Sequence, residues 1–303
     1  MGQPESTHVD EVITWNWYDG KSDAAEPIHQ QGVDALNRHL PPLSNKRVGF
    51  ESGWLPYGLR IMGEMHDITA PITAMRRSKY PDELALIRAA IQANMAGIEA
   101  GRAVIQPGIS ELEVYNAVWA AAVKSAGTGI VPQGDFASGP RAFGGGGPAT
   151  SRILEAGDVM IIDLFPVING YKGDFTATIA VTDQISEEQK TLETALHAAI
   201  EAGEGVLKPG AVAGDVYRAV YASLQAEGFA AHFPHHAGHG LGLGHPDAPY
   251  FVPNSTEVLQ VGDVVTLEPG AYNGKSYGAR IEHNYLITET GCERLTSHKT
   301  TLI

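Results

Sequence analysis

The chain has 303 residues, 43% of them hydrophobic, and a formal net charge of -14 at pH 7. That length buries the core of one large domain plus an appendage, and the acidic balance excludes a binder of nucleic-acid backbone, whose affinity rests on Lys and Arg displacing counterions. The single cysteine, Cys292, excludes an internal disulfide framework and a thiolate metal cage, and no stretch approaches the roughly 20 apolar residues of a membrane span.

The opening MGQPESTHVDEVITW has neither the basic segment nor the apolar run of a leader, so a cytoplasmic location is expected. Residues 1–75 read as a short α/β preface, too short to promise an independent fold. Within it RVGFES, from Arg47, predicts a strand, and LPYGLRIMGEM, from Leu55, predicts a helix.

A stronger helix begins at SKYPDE. Pro81 stands in the first turn, where its missing N–H costs nothing, and Asp82 and Glu83 meet the helix dipole. Leu84, Ile87, Ile91, Met95 and Ile98 recur at steps of three or four and build one buried face. A Pro107-Gly108 turn, a second helix and the Gly-rich loop ASGPRAFGGGGPATSR follow. The runs VMIIDLF and FTATIAV then have the length and β-branched content of strands.

The unit repeats. IEAGRAVIQPGISELEVYNAV, from Ile98, matches IEAGEGVLKPGAVAGDVYRAV, from Ile200, and GDVMIID, from Gly157, matches GDVVTLE, from Gly262. VVTLEP and IEHNYLIT stand where the first copy has its two strands. Two copies of a unit of about a hundred residues exceed any solenoid repeat. They predict a helix-and-strand domain over residues 76–303 with two pseudo-symmetric halves.

Each half carries two acids. Asp163 ends one apolar run and Asp174 follows an Asn-Gly pair, the signal of a hairpin that brings the two acids alongside each other. Glu268 and Glu282 stand in the same relation across NGKSYGA. If the halves fold alike, four carboxylates converge. Such crowded like charges cannot all ionise without cations between them, so a pair of divalent ions is expected. HHAGHGLGLGHPD offers nitrogen at His235, His236, His239 and His245. His239 is the strongest, because small neighbours let the backbone approach an ion; His232 and His236 read as surface-loop residues. Four carboxylates and one imidazole favour Mn2+, Fe2+ or Co2+ over Zn2+. Water activated between two such ions attacks a polarised carbonyl, so hydrolysis is the expected chemistry.

These segments resemble the pita-bread metallohydrolases, the group of methionine aminopeptidase, prolidase, aminopeptidase P and the metal-free creatinase. DLFPVINGYKGDFTAT, GHGLGLGH, TLEPGAY and ARIEH occur in that family's order, and the likeness runs from MRRSKYPDEL to the last residue. The resemblance implies an α+β pita-bread fold. It also implies that Asp163 chelates one metal, that Asp174 and Glu282 bridge both, and that His239 and Glu268 hold the other, with Glu268 doubling as general base. All five positions are filled, unlike creatinase. RxxKYPDEL, GHGLGL and RIE point to the Xaa-Pro branch, with His235 and Arg280 contacting or ordering the substrate.

Two departures stand out. No histidine lies between His66 and His197, so FGGGGPATSR replaces the family's loop histidine, and GLGHPDAPYF sets His245 one residue early. His245 is the candidate for the proton-donating, carbonyl-polarising histidine. The preface is shorter than the N-terminal domain that in prolidase and aminopeptidase P shapes the substrate end or a homodimer contact. The primary reading is a dinuclear exopeptidase acting near the amino terminus of Xaa-Pro peptides. The alternatives are a metal-dependent hydrolase or lyase on a small non-peptide substrate, and a non-catalytic binding protein on the same fold.

Overall fold

The computed structural model describes residues 28–39, 46–131 and 133–303, so the opening MGQPESTHVDEVITW lies outside the described residues. The chain forms two compact units, Met1–Ile72 and Thr73–Ile303. No described helix is long and apolar enough to cross a membrane.

In the first unit, helix α1 (Ile28–His39) precedes strands β1 (Arg47–Phe50) and β2 (Glu64–Asp67). The two strands pair in parallel, Val48 opposite Met65. LPYGLRIMGEM is not the expected helix: it runs as a turn and irregular backbone until its last residues join β2. Pro56, Gly58 at φ 88° and Gly63 interrupt any helical run. Asn37 then pairs the freed backbone, donating to the Gly58 carbonyl (3.1 Å) and accepting from the Arg60 N–H (2.7 Å).

Helix α2 (Thr69–Arg77) spans the boundary and leads into the second unit. There the first half comprises α3 (Pro81–Val104), α4 (Glu111–Ala126), β3 (Gly134–Ser138), β4 (Val159–Leu164), the hairpin β5 (Val167–Ile168) and β6 (Tyr171–Lys172), and β7 (Phe175–Ala180). The second half comprises α5 (Glu187–Glu204), α6 (Ala213–Ala226), β8 (His239–Gly240), β9 (Asp247–Tyr250), β10 (Val264–Leu267), β11 (Gly270–Tyr272), β12 (Gly278–Arg280), β13 (His283–Ile287) and β14 (Cys292–Arg294).

Helix starts follow local chemistry. The Tyr80 N–H donates to Glu83 (2.8 Å) ahead of Pro81. Ser110 and Glu113 cap α4 reciprocally, and Ser186 and Gln189 do the same for α5. The sheets repeat as well. One runs β3-β4-β7; the other contains β8-β10-β13 in the same order, extended by β9 and β14. Each half has its own apolar core, with Ile87, Ile91, Val118 and Phe136 in the first, and Leu196, Val220, Val265 and Tyr285 in the second. Burying each such side chain contributes about 1.5–3 kcal/mol.

The duplicated IEAG glycine has a packing reason. A Cβ at Gly101 would stand 2.9 Å from Ile162 Cδ1, and one at Gly203 would stand 2.7 Å from Leu267 Cδ2. Ile162 and Leu267 immediately precede Asp163 and Glu268. The missing side chain therefore seats the first helix of each half against the strand that carries its acid.

The GDV aspartates also repeat a task. Asp158 accepts from the Glu155 N–H and from Arg152, while Asp263 accepts from the Gln260 N–H and from Arg77. Both close the turn before an acid-bearing strand. In the Gly-rich segment, Ala137 and Ser138 belong to β3 and Gly139–Gly144 form a 3-10 turn. Buried Glu111 holds this segment by accepting from Ser138, Thr150 and Arg141. Burial pushes the Glu111 carboxyl up, but the Thr150, Ser138 and Arg141 bonds outweigh it and keep it below its ordinary range.

Candidate metal centre

The centre is assembled where the two half-sheets meet. The Glu282 N–H donates to the Thr176 carbonyl (3.2 Å), and the Thr178 hydroxyl both accepts from the Arg280 N–H (3.0 Å) and donates to its carbonyl (2.8 Å). Asp163 stands on β4 opposite Thr176, Glu268 directly follows β10, Glu282 directly precedes β13, and His239 opens β8. Asn169 at φ 49° and Gly170 at φ 87° make the two-residue turn of the β5–β6 hairpin and return the chain to Asp174. In the second half the turn is longer, with Asn273 Oδ1 accepting from the Lys275, Ser276 and Tyr277 N–H groups.

Asp163, Asp174, His239, Glu268 and Glu282 are thereby brought together. Three sets of ligand-type atoms lie within 4.8 Å of one another: Asp163, Asp174 and Glu282; Asp174, His239 and His245; His236, His239 and Glu268. The sets share Asp174 and His239, so they form one continuous site. His239 Nε2 lies 3.3 Å from Asp174 and 3.5 Å from Glu268, while its Nδ1 is 2.8 Å from the Gly240 carbonyl. A proton on Nδ1 donates to that carbonyl and leaves Nε2 facing the carboxylates.

The carboxylates are oriented but incompletely paired. Asp163 Oδ2 accepts from Arg280 (2.5 Å) and Glu282 Oε2 from the Thr176 hydroxyl (2.8 Å), yet Asp163 Oδ1 and Glu282 Oε1 are buried with no hydrogen-bond partner. A buried acceptor left unpaired is costly. This donor set fits divalent cations, with one oxygen of each of these acids held by the protein and the other left without a partner.

Electrostatics agree with the crowding. Burial pushes Asp163 up to about 6 against the pull of Arg280, helped by Asp174 and Glu268. Burial and the charges of Asp174 and Glu268 raise Glu282 well above the usual carboxylate range. Asp174 and Glu268 are lowered in spite of burial, the first chiefly by bonds to His239 and His245, the second by His236. His239, disfavoured by burial but bonded to Asp174, rises to about 9.

A cleft of about 280 Å³ opens onto this floor. His245 lies 2.8 Å from Asp174, and its ring stacks on Phe165 at 4.4 Å, so its one-residue shift still brings it into the cleft. His235 and Arg280 are joined through the Tyr272 hydroxyl, at 3.2 and 2.7 Å. Arg280 also donates to the Gly145 carbonyl, which fixes the Gly-rich segment at the rim.

Residues 85–289 match the model of metallopeptidase family M24. The chain belongs to this family. Among curated M24-like relatives, YqhT of Bacillus subtilis, an uncharacterized peptidase, is 29% identical over 270 residues, covering 85% of this chain and 75% of the relative. Among solved structures, a prolidase from Pyrococcus horikoshii is 30% identical with a TM-score of 0.80, covering 90% of this chain and 78% of that one. An Xaa-Pro dipeptidase from Bacillus anthracis is 28% identical with a TM-score of 0.81, covering 92% and 79%. The M24 assignment and these neighbours carry the pita-bread fold that the sequence motifs imply.

In this M24 protein the sequence pattern does not mark His236 and Asp135, which line the cleft, or Tyr272, which braces it from behind. His236, read as a surface-loop histidine, lies 3.0 Å from Glu268. Tyr272 sits within the TLEPGAY motif, whose spacing draws attention to the acid and not to the hydroxyl that ties His235 to Arg280. Asp135 lies on β3, whose GDFAS gives too short an alternation to mark it as a strand.

Proposed function

We propose that this M24 member is a dinuclear metal-dependent exopeptidase that hydrolyses the peptide bond next to the amino terminus of Xaa-Pro peptides. The observation that carries this reading is the convergence of Asp163, Asp174, His239, Glu268 and Glu282 at one cleft floor, with two buried carboxylate oxygens unpaired. These five residues would hold two divalent ions, and the oxygen-dominated set favours Mn2+. When bound, the ions supply Lewis-acid polarisation of the carbonyl and acidify water.

The remaining steps belong to the chain. Glu268 accepts the proton, and its Oε1 is kept in place by His236 at 3.0 Å and the Thr266 hydroxyl at 3.2 Å. His245, braced by Phe165, supports the charge that develops on the carbonyl oxygen and holds a proton at Nε2 for the leaving amine. His235 and Arg280 position the substrate from the wall that Tyr272 ties together. The Xaa-Pro class is supported by the names of the prolidase and Xaa-Pro dipeptidase neighbours.

The test is a panel of Xaa-Pro dipeptides, longer Xaa-Pro peptides and Met-Ala peptides offered to Mn2+-loaded protein. Cleavage of Xaa-Pro bonds above Met-Ala is expected. No turnover of any member by metal-loaded protein rejects the reading in favour of a small non-peptide amide, and failure to bind any divalent ion rejects both.

A further inference from the structure

One carboxylate of the cleft has no task in the chemistry above. Asp135 on β3 stands directly opposite Asp163 on β4, so both side chains leave the same face of the sheet. Asp135 lines the cleft beside Asp163 and Arg280. Among the described residues, none forms a hydrogen bond or ion pair with its carboxylate. Arg280, the guanidinium of that wall, is already engaged by Asp163, Tyr272 and Gly145. The Gly-rich segment makes the space for this acid. Gly146, at φ 153°, passes so close that a Cβ there would stand 2.7 Å from Asp135 Oδ2.

A lone carboxylate facing a cleft selects a cationic partner, and the charge-assisted hydrogen bond between them is a strong one. Distance decides which cation. Directly opposed strand residues hold their Cβ atoms about 4.5–5.5 Å apart. The α-amine of a peptide's first residue stands two bonds from its carbonyl carbon, whereas a lysine amine stands six bonds away. A carbonyl presented at Asp163 therefore brings the α-amine to Asp135.

We propose that Asp135 is a specificity-determining residue that accepts the protonated α-amine of the substrate's first residue. This rests on the exopeptidase reading and names the group by which the cleft selects a free amino terminus. Calorimetric titration of Mn2+-loaded protein with L-alaninamide and with propionamide, which lacks only the amine, reads the contact without turnover. The wild-type protein is expected to bind alaninamide about 10–100-fold more tightly. Asp135→Asn removes most of that preference and keeps the metal content and unfolding midpoint, and Asp135→Glu restores part of it. The proposal is overturned by a preference that persists in Asp135→Asn, by its absence in the wild-type protein, or by loss of metal from the variants. Failure of the exopeptidase reading shows separately, as a peptide panel that the wild-type protein leaves intact.

Discussion

Asp174 is the residue on which the candidate centre turns, because it belongs to two of the three ligand sets and touches both His239 and His245. Replacing it with Asn removes a charge from both sets. A saturating ion, at about a hundredfold its Kd, stabilises a folded protein by about 2.7 kcal/mol. Mn2+ is thus expected to raise the unfolding midpoint of the wild-type protein and to leave that of Asp174→Asn unmoved, which differential scanning fluorimetry reads directly. His245 has a different signature. His245→Gln should lower kcat on a cleaved Xaa-Pro peptide about 10²–10³-fold with metal content unchanged by elemental analysis; a loss of metal would make it a ligand. The acids were legible in the sequence because each half ends an apolar run with one acid and carries a second beyond a turn, and His239 because small residues flank it in a Gly-rich run. His236, Tyr272 and Asp135 were not, because each acts through an approach across the fold that no local spacing encodes.

Helices and strands were legible to the degree that their periodicity was long. The face Leu84, Ile87, Ile91, Met95 and Ile98 lies within α3 and its immediate packing. The eleven residues from Leu55 have the apolar content of a helix, but Pro56, Gly58 and Gly63 end a helix wherever they fall so close together. The IEAG glycines show the opposite case, in which a residue poor for helix propensity is needed for packing. Gly203→Val forces methyl groups into Leu267 and Val220, which already crowd the site of a Cβ at 2.7 and 3.1 Å. A destabilisation of about 1–3 kcal/mol is expected from such overpacking, measured by urea unfolding of the metal-free protein. A gain in stability, as helix propensity alone would give, would show that the α5 contact is slack.

At the scale of the whole molecule, the duplication was the most legible feature, since two sequences that match must bury matching faces. How the halves join was not legible. That contact is made by backbone and threonine hydroxyls around Thr176, Thr178 and Glu282, residue types common on any strand. His298 is buried at this join, its ring against Phe175 and its Nε2 donating to the Thr176 carbonyl at 3.1 Å. Burial lowers its pKa to about 4, although the Thr176 bond opposes the shift. An unfolded histidine titrates near 6.5. Between those values the unfolded chain takes up a proton that the folded one refuses, so stability present above pH 6.5 is lost as pH falls toward 4, by up to about 3 kcal/mol. His298→Gln, which keeps a donor for Thr176, should flatten that part of the urea-unfolding profile of metal-free protein. An unchanged slope would assign the loss to other groups.

The five expected ligands are divided between the repeats. Asp163 and Asp174 come from the first copy, and His239, Glu268 and Glu282 from the second. The Asp163, Asp174 and Glu282 set and the Asp174, His239 and His245 set each draw residues from both copies, so neither copy alone assembles the full centre. Severing the polypeptide in the stretch 181–186, between β7 and α5, should yield two fragments that each bind Mn2+ far more weakly alone than when mixed.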